Sequence, residues 1–340
     1  MIYRSKAPLR IGLAGGGTDV SPYSDLYGGA ILNATLSLYA NATIEPLAED
    51  KIIVTALDRH EEEVYDWSEC LPINGKLDLL KGVYNRISKD YGIPRQGFRL
   101  STFVDAPAGS GLGTSSTLVV AIIGAFTEML RLPMGEYDMA HYAYDIERND
   151  LALAGGKQDQ YAATFGGVNY MEFYGEDKVI VNPLRIKQQY LFELENNLLL
   201  YYTSTSRESA GIIKEQAKNV VQKDSTSIDA MHHLKEQAQQ MKEALLRGKL
   251  NAIGEILDFG FQQKRLMAKG ISNPLMEEIY ESARKAGATG GKISGAGGGG
   301  FMIFYCPVNT KYRVLEELER FGGKHRSYLF TKHGLKSWTI

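Results

Sequence analysis

The sequence predicts a two-domain α+β protein. Three observations lead there. At 340 residues the chain exceeds one ordinary domain, and two is the natural division. Short strand-like apolar runs stand between longer segments of helical spacing. Glycine is over-used, 36 residues against a usual share of about 7%, and many glycines fall in three clusters. These are 12–19 (GLAGGGTD), 108–113 (AGSGLG) and 294–300 (SGAGGGG). No period of about 20–50 residues recurs, which excludes a repeat protein.

Taken in order, Leu9, Ile11 and Leu13 alternate with other residues and predict a strand running into the first cluster. Residues 52–56 and 98–104 read as strands. After the second cluster, 117–130 is apolar nearly all round, as in a buried helix, and another helix is expected over 136–149. Residues 198–202 resemble a buried strand. Thr205 and Glu208 have capping-box spacing, and apolar residues at helical intervals follow from Ala210 and again from Ile228. Asn273-Pro274 is a helix start and Gly287 a stop. Strands at 292–294 and 301–305 bracket the third cluster. A helix near 310–321 and a last strand near 327–331 complete the chain. The expected domains are 1–185 and 186–340.

The formal net charge of -2 gives no electrostatic reason to expect nucleic acid or an anionic membrane as partner. Cys70 and Cys306 read as reduced cytoplasmic thiols, although sequence alone leaves one disulfide open. The N-terminus lacks the apolar stretch of a secretory signal. The most apolar segment, 118–126, is about half of the roughly 20 residues a spanning helix needs. A soluble cytoplasmic protein is expected, monomer or homodimer. The histidines show no metal-ligand spacing; His232 and His233 are adjacent and diverge on a helix.

A loop that wraps polyphosphate needs inward-facing backbone N–H groups and no side chain to block the approach. Gly109, Gly111 and Gly113 in the loop 107–116 (PAGSGLGTSS) meet that need. Thr114, Ser115 and Ser116 then open the buried helix, where unpaired N–H groups and the dipole attract an anion. A tight strand-to-helix turn with ordinary caps is the alternative. The P-loop pattern fails, because no Lys precedes Thr114 or Ser115. Gly295, Gly297 and Gly300 match G-x-G-x-x-G formally, but an apolar strand-like run follows instead of a helix.

Three clusters in this order are more specific than any one. PAGSGLGTSS resembles the second motif of the GHMP kinases (galactokinase, homoserine kinase, mevalonate kinase and phosphomevalonate kinase). KISGAGGGG (292–300) resembles their third motif and APLRIGLAGGGTD (7–19) their first. The resemblance covers nearly the whole chain. It implies an N-terminal domain like ribosomal protein S5 domain 2, a ferredoxin-like C-terminal domain, and transfer of the γ-phosphoryl of ATP between them. Galactokinases carry an acidic-His pair where this chain has Gly16-Gly17. AGGGTD followed by Ser21-Pro22-Tyr23, together with GGKQDQYAATFGG (155–167), is more similar to the D-glycero-D-manno-heptose 7-phosphate kinases. Those phosphorylate the C1 hydroxyl on the way to GDP-heptose and surface glycans. A fucokinase-like or other sugar-1-kinase, and a non-catalytic ligand-binding relative, are the alternatives.

The resemblance also implies roles. Gly109, Ser110, Gly111, Leu112, Gly113, Thr114, Ser115 and Ser116 would hold the ATP phosphates. Asp159 aligns with the catalytic Asp and either accepts the hydroxyl proton or orients the hydroxyl. Arg10 would stabilise the transferring phosphoryl or lower the hydroxyl pKa. Ser115 and Glu147 would hold Mg2+. Gly16, Gly17, Thr18 and Asp19 would meet the sugar, with Gly297 and Gly298 allowing close backbone approach. A phosphorylated substrate needs a second anion site, for which Lys157, Arg207 and Lys292 are the candidates.

Overall fold

The computed structural model describes residues 1–205 and 209–340. The first half runs β1 (Tyr3–Ala14), α1 (Tyr23–Tyr27), β2 (Gly29–Pro46), β3 (Lys51–Ala56), β4 (Glu61–Asp66), α2 (Asp78–Tyr91) and β5 (Phe98–Val104). It continues with α3 (Thr114–Leu130), α4 (Glu136–Asp145), α5 (Gln158–Phe165), β6 (Val168–Phe173) and β7 (Val179–Pro183). Then come α6 (Gln188–Asn197), β8 (Leu198–Tyr202), α7 (Ser209–Val221), α8 (Ser225–Arg247), α9 (Ile253–Met267) and α10 (Pro274–Ala286). β9 (Gly290–Ile293), β10 (Phe301–Tyr305), α11 (Thr310–Leu318), β11 (Lys324–His325) and β12 (Lys336–Thr339) follow.

One sheet has the order β12-β1-β2-β5-β3-β4, with β6 and β7 added beside β2. β2, 18 residues long, pairs with β1 on one side. Its other side serves two neighbours in succession, β6 at Gly29–Ala34 and β5 at Ala40–Pro46. Among the described residues only β3 and β5 run parallel. The second sheet is β11-β8-β10-β9, antiparallel throughout. β1 is buried without a break from Ala7 to Ala14, as expected of a strand covered on both faces. On one face, α2 and α3 contribute Leu80, Val83, Ile87, Val119, Ile122 and Phe126 to a core with Val54 and Leu100. On the other, Leu9, Ile11 and Leu32 of the first sheet share a core with Met241 and Leu245 of α8, Leu257 of α9 and Ile303 of the second sheet. The two sheets are thus joined through apolar packing, and a cleft opens along that seam.

The chemistry at Asn273 and Pro274 works as read from sequence. The Asn273 side chain accepts from the Met276 N–H at 3.1 Å, Pro274 occupies the first turn, and Gly287 closes α10 at φ +120°. Two expectations need correction. The stretch 327–331 contributes only an isolated bridge, Phe330 to Leu36, and the last strand is β12, paired with β1. The helix expected over 136–149 is α-helical only to Asp145, and Ile146–Asp150 forms a π-helical turn. Glu208, half of the expected capping box, lies outside the described residues. Among the described residues no helix is long and apolar enough to cross a membrane.

Candidate active site

The glycine loop before α3 is shaped by positive φ at Gly109, Gly111 and Gly113. At Gly111 the need is steric as well: a Cβ there would lie 2.5 Å from the Ser294 carbonyl oxygen. Gly113 occupies the N-cap position of α3, and no side chain caps this helix. Its first-turn N–H groups are therefore available to an anion.

The three motifs 7–19, 107–116 and 292–300 meet at one carbonyl. Gly111 O accepts from Arg10 Nη1 at 2.7 Å and from Ser294 Oγ at 2.8 Å. Arg10, 4% exposed, comes from β1 and Ser294 follows β9, so both sheets grip the loop. The Phe301 N–H donates to Ser110 O at 2.9 Å and strengthens the joint. Arg10 also turns its Nε and Nη2 to Asp159 Oδ1, at 2.7 and 2.6 Å. Asp159 stands in the first turn of α5, where a carboxylate suits the helix dipole. A charged pair is thereby fixed directly beside the phosphate loop.

Asp19 faces the same cleft and is buried. It accepts the Gln158 N–H at 3.0 Å, and Gly156 packs against its carboxylate so closely that a Cβ would overlap it. Burial, then the neighbouring Asp159 charge, raises its pKa above the ordinary aspartate value. The backbone of the first cluster is held from the second half of the chain: Gly15 N–H donates to Gln237 Oε1 at 3.1 Å, and Gly17 O accepts from Gln216 Nε2 at 2.7 Å.

Glu147 projects from the π turn into the far end of the cleft, buried, and burial raises its pKa. It accepts from Ser116 Oγ at 2.9 Å and from the Gln160 amide. Arg148 beside it also lines the cleft and donates to Leu153 O and Gly156 O. Among the described residues no group of three or more His, Cys, Asp and Glu side chains gathers as a metal cluster.

Several expected site residues lie elsewhere. Lys157 is buried against Asp177 at 2.9 Å and Asp25 at 3.3 Å, away from the cleft. Burial opposes its charge, but the two carboxylates outweigh it and raise the pKa, so it is not a free anion site. Thr18 spends its hydroxyl on the backbone at Gly15 and Ala30. Gly297 and Gly298 pack on Ile271, whose carbonyl accepts the Gly298 N–H at 2.8 Å, and Gly295 and Ala296 line the cleft in their place. Glu147 meets the Ser116 hydroxyl, while Ser115 is exposed on the cleft wall. Arg207 lies outside the described residues. Gly17 and Asp19 line the cleft, and Gly16 next to them packs beside two buried lysines. One of them, Lys264, was missed from sequence. Its signal was position: Ile253, Leu257, Phe261 and Lys264 follow one another at helical spacing along the buried face of α9.

Comparison with known proteins extends these findings. The GHMP kinases N terminal domain model matches residues 78–167, and the GHMP kinases C terminal model matches 241–324. A D-glycero-alpha-D-manno-heptose 7-phosphate kinase of Campylobacter jejuni subsp. jejuni is 48% identical over 337 residues, 99% of each chain. The chain belongs to the GHMP kinases. Its fold is matched by the crystal structure of a D-glycero-D-manno-heptose 1-phosphate kinase from Bacteriodes thetaiotaomicron, at TM-score 0.85 and 45% identity, covering 99% of both chains. An L-fucokinase/L-fucose-1-P guanylyltransferase of Bacteroides fragilis is more distant, at 27% identity over 87% of this GHMP kinase and 34% of the larger protein. As in other kinases of the family, ATP is the phosphoryl donor.

Proposed function

We propose that this GHMP kinase transfers the γ-phosphoryl of ATP to the anomeric C1 hydroxyl of D-glycero-D-manno-heptose 7-phosphate, giving the 1,7-bisphosphate, in the cytoplasm, on the way to GDP-heptose. The observation that carries the reaction is the meeting of Arg10, Asp159 and Asp19 beside the uncapped phosphate loop. The sugar is supported by the full-length likeness to the Campylobacter kinase. A domain boundary near residue 185 accompanies this reading, supported by the change of sheet between Pro183 and Leu198.

Phosphoryl transfer asks mainly for positioning and charge neutralisation. The loop N–H groups and the α3 N-terminus cradle the phosphates. An apolar recess lined by Leu79, Leu118, Leu151 and Leu153 opens next to the cleft and suits adenine. Asp19 orients sugar hydroxyls, Asp159 receives the C1 hydroxyl proton, and Arg10 turns part of its charge to the phosphoryl group as it moves. Mg2+ fits the residues present: Mg2+ takes one or two carboxylates plus phosphate oxygens, and Glu147 is a buried carboxylate beside the Ser116 hydroxyl with only a long contact, 3.9 Å, to Arg148. Glu147 with Ser115 or Ser116 would hold the ion, which neutralises phosphate charge when bound. Glu147→Gln should accordingly raise the Mg2+ concentration for half-maximal rate by about tenfold, read by titrating MgCl2 at fixed ATP. An unshifted titration removes Glu147 from the metal site.

A coupled ADP-release assay comparing D-glycero-D-manno-heptose 7-phosphate with free heptose, fucose and mannose tests the function. Turnover is expected with the heptose phosphate. Preference for a free sugar replaces the heptose-phosphate reading with a fucokinase-like one, and no turnover with any sugar overturns the kinase reading.

A further inference from the structure

Among the described residues four lysines are buried: Lys81, Lys157, Lys264 and Lys292. Two behave as burial demands. Lys81 is held by Glu63 and Asp78, and Lys157 by Asp25 and Asp177. Lys264 and Lys292, each 4% exposed, differ: among the described residues neither forms an ion pair. Their ammonium groups donate only to carbonyls, Lys264 to Gly295 O and Lys292 to Gly12 O at 2.9 Å. An ammonium removed from water without a counter-charge is costly. Burial and then Arg10 depress the Lys264 pKa to about 8, against a pull from Asp19, and burial, then Lys264 and Arg10, hold Lys292 well below the ordinary lysine value.

Both ammonium groups converge on one place. A Cβ on Gly16 would lie 3.4 Å from Lys264 Nζ and 3.6 Å from Lys292 Nζ. The chain therefore has no side chain where the two cations point, and Lys264 opens into the cleft. The spot lies on the first glycine cluster, three residues from Asp19. The ATP phosphates have their own N–H cradle at α3, so this second concentration of positive charge calls for a different anion.

We infer that Lys264 and Lys292 form an anion subsite for the phosphate already carried by the acceptor sugar, and that this subsite sets the preference for phosphorylated over free sugar. The inference rests on the proposed function for the acceptor's identity. The sugar phosphate supplies the counter-charge these lysines lack. In the free enzyme the lysines are uncompensated, so they favour binding without adding stability.

Lys264→Met and Lys292→Met keep approximate volume and remove a charge that burial opposes, so both variants should fold. The readout is the ratio of kcat/KM for D-glycero-D-manno-heptose 7-phosphate to that for free heptose. In Lys264→Met this ratio is expected to fall by on the order of 100-fold, mainly through KM of the sugar phosphate; Lys292→Met should shift it the same way. An equal loss with both sugars, or a loss in kcat alone, overturns the subsite and assigns the ammonium to the transferring phosphoryl. A second measurement does not depend on turnover. With a non-hydrolysable ATP analogue bound, millimolar inorganic phosphate should raise the Tm of the wild type and not of Lys264→Met, while the analogue alone raises both. Absence of that phosphate shift in the wild type overturns the subsite. Failure of the wild type to use the heptose phosphate, with the shift intact, overturns the acceptor assignment instead.

Discussion

Asp159→Asn should lower kcat by on the order of 10³-fold with the KM for ATP little changed. An asparagine keeps the shape and can still orient the hydroxyl, but it cannot take its proton, and positioned acid–base groups contribute about 10²–10⁴-fold. Asp159 also neutralises Arg10, whose Nε and Nη2 both address Oδ1. The substitution keeps an amide oxygen that can accept from the guanidinium but removes its counter-charge, leaving a buried cation uncompensated, so some loss of stability accompanies the loss of rate. Assays well below the variant's Tm separate the two. Because Arg10 and Asp159 act as a unit, Arg10→Met combined with Asp159→Asn should cost far less than the product of the single effects. A fall in kcat of tenfold or less would show that Asp159 only orients the hydroxyl.

Gly111→Ala should be severely damaging for so small a change. The backbone there has φ +83°, which by itself costs an alanine roughly 1–2 kcal/mol. The new methyl group would also lie 2.5 Å from the Ser294 carbonyl oxygen and 2.9 Å from its carbon, and backbone atoms yield little. The loop must move, breaking the bonds from Arg10 and Ser294 to Gly111 O. We expect a loss of about 3 kcal/mol or more in stability and at least about 100-fold in kcat/KM. Gly92→Ala is the control: φ is +71° with no atom within 4 Å of the added Cβ. It carries the backbone cost without the clash, and should lower Tm slightly at normal activity. Similar damage from both substitutions would mean that backbone strain, and not the contact between sheets, explains Gly111.

The parts of this site legible in the sequence are those built from backbone. Glycines at alternate positions in 107–116 suit a loop needing unusual φ and close approach, and Gly109, Gly111 and Gly113 all adopt positive φ there. Arg10 and Asp159, 149 positions apart, carried no local signal and were found through resemblance to a family. One of the three anion-site candidates is engaged elsewhere for a physical reason. Lys157 sits within a suggestive motif, but Asp25 and Asp177 had already taken its charge, and pairings between distant segments are not written locally. Lys264 was overlooked because a lysine on a helix is ordinarily solvated, although its place on the apolar stripe of α9 contradicted that. The end of α4 escaped for another reason, since a π turn leaves no trace in apolar spacing.

That turn bears on how residues are matched between relatives. π-helical turns are commonly a single extra residue absorbed within an α-helix, and they gather at functional sites. In Ile146–Asp150 the extra length sits beside Glu147 and Arg148, which line the cleft as consecutive residues. A relative whose helix stayed α-helical through this last turn would turn the same positions to different directions, so equal counting along the chain would not find the same face. The carboxylate counterpart of Glu147 would then be sought away from where it stands. Correspondence across this helix is better fixed by what the carboxylate touches, the hydroxyl of Ser116 and the amide of Gln160, than by counting along the chain.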